Sequence, residues 1–230
     1  HSQRQLLAVT VDAAINEGNS GGPVYKDGRV AGIAFQALED AENIGEMVPA
    51  ALIRRFLEGV DTGRSPRVPG LGVVAQHLEN PSLRDRVGLR GGASGVLVIG
   101  VEYGGSAWGK LKAGDAILRI GDYDIANNAT VRYADRYRTS FDVFLGDHHV
   151  GDTVNATILR DGEQKDVDIE LCPYQGLASR SRYDVSPRYV IFSGFVFQPL
   201  SLDFLRTWSD WWEKAPAELL HLYYSGLRTE

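Results

Sequence analysis

Asp12-Ala13-Ala14-Ile15-Asn16-Glu17-Gly18-Asn19-Ser20-Gly21-Gly22-Pro23 surrounds one serine with three glycines and ends in a proline. A serine that attacks a carbonyl has to project from a tight turn, with free backbone N–H groups beside it to hold the developing oxyanion. Glycine permits the close approach and the unusual dihedrals that such a turn requires. A flexible glycine-serine turn between two strands is the alternative reading of the five residues around Ser20. The stretch reads as a nucleophile loop.

Working outward, Leu6 to Val11 reads as a strand into the loop, Arg29 to Gln36 as the next strand and Gly45 to Pro49 as a third. The period then changes. Pro49-Ala50-Ala51-Leu52-Ile53-Arg54-Arg55-Phe56-Leu57-Glu58 places apolar residues at helical spacing behind a proline suited to a helix start. Gly59 to Pro69 has no apolar period and reads as a linker. Short alternating runs broken by Gly, Asp and Asn turns follow as far as Cys172, the pattern of a small antiparallel sheet.

The loop, with Gly32-Ile33-Ala34-Phe35-Gln36 and Asn43-Ile44-Gly45-Glu46-Met47-Val48-Pro49 behind it, resembles the HtrA/Deg family of trypsin-like serine proteases. The resemblance implies that Ser20 is the nucleophile and that the N–H groups of Gly18 and Ser20, with Asn19 between them, form the oxyanion hole. It puts Ala14 and Ile15 at the base of the substrate pocket and Phe35, Gln36 and Ala37 along its wall. No buried carboxylate awaits a basic substrate side chain.

That family orders its triad His, Asp, Ser, and only nineteen residues precede Ser20 in this sequence. The expectation is therefore a protease fragment that begins inside the second catalytic barrel and is inactive alone. His1, His77, His148, His149 and His221 read as surface or structural histidines rather than displaced bases, and a serine without a base is a weak nucleophile.

Residues 70–172 resemble a PDZ domain of the HtrA/Deg kind. Gly70-Leu71-Gly72-Val73 corresponds to the opening motif, so Leu71, Gly72 and Val73 are the peptide-binding residues implied. Gly95-Val96-Leu97-Val98, Gly105-Ser106-Ala107, Lys112-Ala113-Gly114-Asp115-Ala116-Ile117 and a closing hairpin around Arg160-Asp161-Gly162 follow in the family's order. Such a domain adds its ligand as a strand at an open sheet edge. Two departures bear on that groove: Gly70 replaces an aromatic residue, and residues 130 to 139 are extra before a groove helix expected near Ser140 to Leu145. Either feature is expected to be able to close the groove.

The domain plan that follows is 1–60, the C-terminal part of a trypsin-like β-barrel; 61–69, linker; 70–172, PDZ domain; 173–186, linker; and 187–230, the truncated start of a second PDZ-like domain. The fold class is mainly β with a few helices. Net charge is −6 with acidic and basic residues interleaved, which gives no nucleic-acid footprint. One cysteine, Cys172, excludes an internal disulfide and a multi-thiol zinc site; no cofactor and no metal are expected. No run reaches the length of a membrane span.

Two functions fit. One is an ATP-independent serine endopeptidase of protein quality control, acting on unfolded proteins or peptides. Its PDZ groove would take peptide C-termini or neighbouring subunits, in a trimer-based homo-oligomer of the bacterial envelope, the periplasm or an organelle, as the resemblance implies. The other is a non-enzymatic peptide-binding scaffold whose protease-like half is catalytically dead.

Overall fold

The computed structural model describes residues 7–13, 15, 16, 18–37, 45–173, 178 and 185–225. Strand β1 (Val9–Val11) leads toward the serine loop, and β2 (Pro23–Lys26) leaves it. Asp27 and Gly28 then take left-handed backbone, φ 50° and 71°. Two consecutive residues of that kind make the tight turn whose twist suits a hairpin, joining β2 to β3 (Arg29–Ala37). Strand β4 (Gly45–Pro49) inserts between β3 and β1, so the four-stranded order is β1-β4-β3-β2. Pro49, with φ −70° and ψ 153°, caps helix α1 (Ala50–Asp61), as its fixed φ and missing N–H favour at a helix start.

A second sheet begins after the connector. Strand β5 (Pro69–Gly70) is followed by β6 (Val73–His77), helix α2 (Pro81–Arg86), β7 (Val96–Val101), β8 (Ala116–Ile120) and the short β9 (Tyr123–Asp124). The hairpin β10 (Thr130–Tyr133) and β11 (Tyr137–Ser140) runs into a 3-10 helix, Phe141–Asp147. Strands β12 (Thr153–Arg160) and β13 (Glu163–Glu170) close the domain, and β14 (Cys172–Pro173) returns to pair with β5. The main sheet runs β13-β12-β8-β7-β6, with β9 on β8. Strand β6 is therefore an edge.

Alternation explains the packing of this sheet. Val154, Ala156 and Ile158 of β12 point inward and are buried. Asn155 and Thr157 face outward and donate to Asp168 at 2.9 Å and Asp166 at 2.7 Å across the pair. The core collects Val96, Val98, Ile117, Ile120, Phe141 and Phe144, among others; each fully buried side chain of this size stabilises by about 1.5–3 kcal/mol. Asp115 is fully buried as well, gripped by Arg160 through Nε to Oδ1 and Nη2 to Oδ2, both at 2.7 Å.

Strands β15 (Val190–Phe192) and β16 (Phe195–Phe197) form a hairpin over the Ser193-Gly194 turn. Helices α3 (Leu202–Leu205), α4 (Trp211–Lys214) and α5 (Ala217–Ser225) follow and bury Leu205, Trp211 and Tyr223 together with Ala178. The molecule is mainly β with a few helices, as the sequence predicts. Among the described residues, no helix is long and apolar enough to cross a membrane.

Candidate catalytic loop and peptide groove

The serine loop is held by its own backbone. Asn19 N–H donates to Asn16 C=O at 3.0 Å, Gly22 N–H to Asn19 C=O at 2.9 Å and Gly21 N–H to Ala34 C=O at 2.8 Å. Ala34 N–H returns to Gly22 C=O at 2.9 Å, stitching the loop to β3. Gly18 (φ 99°) and Gly21 (φ 88°) flank Ser20 with backbone that an L side chain rarely adopts. Among the described residues, the N–H groups of Gly18 and Ser20 meet no backbone carbonyl. These are the two amides expected to hold an oxyanion, while Asn19 spends its own amide on the turn.

Ser20 is exposed, and its Oγ donates to Phe35 C=O at 3.1 Å. Its hydroxyl partner is thus the main chain of β3. Ile15 is buried beneath the loop, against Gly45: a Cβ on Gly45 would come within 2.5 Å of the Ile15 side chain. Phe35 is exposed on β3. Gln36 and Ala37 continue β3 and pair with Glu46 and Gly45, and Ala14 lies outside the described residues. A cavity of about 720 Å³ on this sheet is lined by Val9, Val11, Val24, Ala31 and Met47. It shares none of the expected pocket residues and opens beside the strands rather than beneath the serine.

The second sheet presents β6 as a free edge. Glu102 N–H donates to Gly72 C=O at 2.8 Å, and Val73 pairs with Val101. In an antiparallel ladder, that bond beside the 73–101 pair turns the N–H and C=O of Val73 outward, to the free edge. Leu71 is buried, and its C=O accepts from Ala107 N–H at 3.0 Å. Gly72 has φ 73°, and a Cβ there would lie 3.2 Å from Gly105 Cα, so any other residue would be strained in its backbone and crowded against residue 105. The extra residues near 130–139 form the β10–β11 hairpin, which pairs with itself and packs on β9. The helix expected near Ser140 to Leu145 is the 3-10 helix Phe141–Asp147; burial pushes the Asp142 carboxyl up, and the Ser140 hydrogen bond partly offsets this.

That helix is tied to α1. The buried Arg55 side chain donates through Nε to His148 C=O at 2.6 Å, through Nη2 to Arg67 C=O at 2.6 Å and through Nη1 to Pro66 C=O at 3.3 Å. Burial holds the Arg55 guanidinium below its usual value, with the Asp152 carboxylate partly offsetting it. Asp152 accepts from His149 N–H at 2.8 Å and pairs with Arg64. Among the described residues no group of His, Cys, Asp and Glu is placed to hold a metal ion.

Comparison with known proteins gives the arrangement its context. Residues 69–171 match a PDZ domain family, and residues 179–230 match a second PDZ domain family. Protease Do-like 4, mitochondrial, of Arabidopsis thaliana is 35% identical over 206 residues, 89% of this chain and 40% of that protein. Protease Do-like 2, chloroplastic, of the same plant is 38% identical over 205 residues, 87% of this chain and 34% of that protein. Over most of its length the chain is similar to proteases of the HtrA/Deg family. Serine protease Do-like HtrA of Lactococcus lactis is 31% identical over 178 residues, 72% of this chain and 41% of that protein. A solved HtrA-type protease, AlgW with decapeptide, matches with a TM-score of 0.52 at 26% identity, covering 73% of this chain and 50% of its own. AlgW with tripeptide gives 0.52 and 26%, covering 72% and 52%. The chain thus spans about 40% of the length of the curated relatives it matches.

Sequence reasoning missed β2, whose Asp27-Gly28 turn is a readable hairpin signal. It also missed Arg55 and the hydroxyl of Ser106. An arginine on a helix and a serine in a loop carry no local mark of what they will touch.

Proposed function

We propose that this chain supplies the nucleophile and the peptide-binding domain of a serine endopeptidase that acts on unfolded proteins. Ser20 attacks the scissile carbonyl, and the Gly18 and Ser20 amides receive the oxyanion. The observation that supports this reading is the loop itself: the amides of Asn19, Gly21 and Gly22 are consumed in holding the turn, whereas those two have no backbone acceptor among the described residues. Removing one donor of such a pair typically costs about 10²–10³ in rate. Among the described residues Ser20 Oγ donates to Phe35 C=O rather than to a histidine; on this reading the general base and its orienting carboxylate belong to a longer protein, in keeping with relatives more than twice this length.

The PDZ domain receives peptide carboxyl termini at Leu71, Gly72 and Val73, adding them as a strand on the free edge of β6. Its ligands are substrate ends or neighbouring subunits of a trimer-based homo-oligomer working in protein quality control. The AlgW relatives were solved with a decapeptide and a tripeptide, ligands of the class this edge would pair with.

The test is casein cleavage by the protein carrying this chain together with the upstream histidine and aspartate, analysed by mass spectrometry. Cleavage after small or medium aliphatic residues is expected, with turnover lost in Ser20→Ala and absent from the isolated chain. Cleavage after Lys or Arg would overturn the pocket assignment, and unchanged turnover in Ser20→Ala would overturn the nucleophile.

A further inference from the structure

We propose that Ser106 is a positioning residue for the terminal carboxylate of a bound peptide, its hydroxyl orienting the first of the peptide planes whose amides form the carboxylate site. The proposal rests on the reading of residues 71–73 as that site. Ser106 is buried, and its Oγ donates to Gly70 C=O at 2.5 Å while accepting from Cys172 N–H at 2.8 Å. Gly70 and Cys172 are register partners of β5 and β14. The hydroxyl therefore stands within that two-strand ladder, accepting a hydrogen bond from one strand and donating one to the other.

The consequence follows from peptide planarity. In a trans peptide, the C=O of one residue and the N–H of the next point to opposite sides. Drawing Gly70 C=O toward Ser106 thus sends Leu71 N–H away from it. The next two planes are held from the same side, Leu71 C=O by Ala107 N–H at 3.0 Å and Gly72 C=O by Glu102 N–H at 2.8 Å. Segment 102–107 accordingly acts as a backing plate, and the amides of Leu71, Gly72 and Val73 are directed away from it. Successive amides exposed on one side form an anion-binding concavity.

The three planes differ in how they are fixed. Two are fixed by main-chain donors, which only a proline would remove. The first is fixed by one side chain, and Gly70 has no Cβ to restrict its own rotation. Ser106 is the position in this device where a change of side chain alone releases a plane, and the same change removes the acceptor of Cys172 N–H.

The experiment compares two fluorescein-labelled decapeptides, identical and ending in three valines, one with a free carboxylate and one amidated, titrated by anisotropy against the full chain. The unaltered chain is expected to favour the free carboxylate about tenfold or more, the scale of hydrogen bonds to a charged group. Ser106→Ala is expected to weaken the carboxylate peptide about tenfold, leave the amidated peptide within about twofold and bring the ratio near one. Ser106→Cys, with a weak donor of similar size, is expected to fall between and serves where the alanine variant does not fold. A variant that weakens both peptides equally, keeping the ratio, would show a merely structural hydroxyl and overturn the proposal. No carboxylate preference in the unaltered chain would overturn the reading of the site itself, a distinguishable result.

Discussion

The sheet that carries Ser20 and the PDZ domain that follows it in the chain are built from the same short hairpins, yet they hide their apolar side chains very differently. In the first sheet, the buried apolar side chains among the described residues are Ile15, Ala34 and Met47, while Val9, Tyr25, Val30 and Phe35 stand exposed. The PDZ domain closes sixteen buried residues into one cluster. One region is a presentation surface stitched by backbone bonds, and the other is a self-contained core. Fixing a loop and stabilising a domain are separate tasks, and in this protein they fall to different parts of the chain.

The sharpest way to break that contrast is Asp115→Ala. It removes the carboxylate that pairs Arg160 and also accepts Lys112 N–H at 2.9 Å, a loss expected to destabilise the PDZ domain by about 3 kcal/mol. Urea unfolding followed by hydrogen exchange should show protection falling at Val98, Ile117 and Ile158. Retained protection there would mean that the core does not depend on the Asp115–Arg160 pair.

Arg55→Met tests the seam between the two regions. Methionine fills the space of the stem but leaves three carbonyls without their donor, which is expected to cost about 2 kcal/mol. Exchange in α1 should accelerate while the PDZ core stays protected. An α1 as slow as in the unaltered chain would mean that the helix is held by its packing on β3 and β4 instead.

The smallest effect is expected with acid. Desolvation pulls the Asp152 carboxyl up, but the His149 N–H bond, with the Arg64 bond and the Arg64 and His148 charges, outweighs it and holds the group below its usual value. A carboxyl depressed in the folded state contributes stability above its unfolded value, about 3.9, and loses it as pH falls further. The thermal midpoint should therefore owe nothing new to this group between neutral pH and about 5, and should fall below about 4. Asp152→Asn should flatten that acid limb; equal slopes in both proteins would refute the assignment.

Much of this was legible in the residues. The Asp161-Gly162 pair, φ 54° and 83°, announces its hairpin, and the alternation in Thr153–Arg160 announces its inward face. The serine loop was legible because its glycines are demanded by backbone geometry, which is local. Helix α1 shows where legibility ends. Its apolar period predicts a helix correctly, yet Phe56, Leu57 and Val60 face outward while Arg55 and Gly59 are buried. Which face turns inward was decided by the carbonyls of His148, Pro66 and Arg67, groups that every residue possesses and no sequence pattern marks. The Ser106 hydroxyl escaped for the same reason, since its partners lie 36 and 66 residues away.

The grip of Arg55 on Pro66 and Arg67 has a mechanical reading. Segment 62–69 carries a glycine and two prolines, a composition that would otherwise let two bodies swivel; clamped at two carbonyls of its own and one beyond it, it behaves as a strut. A peptide end seated on β6 would then sit at a set interval from Ser20.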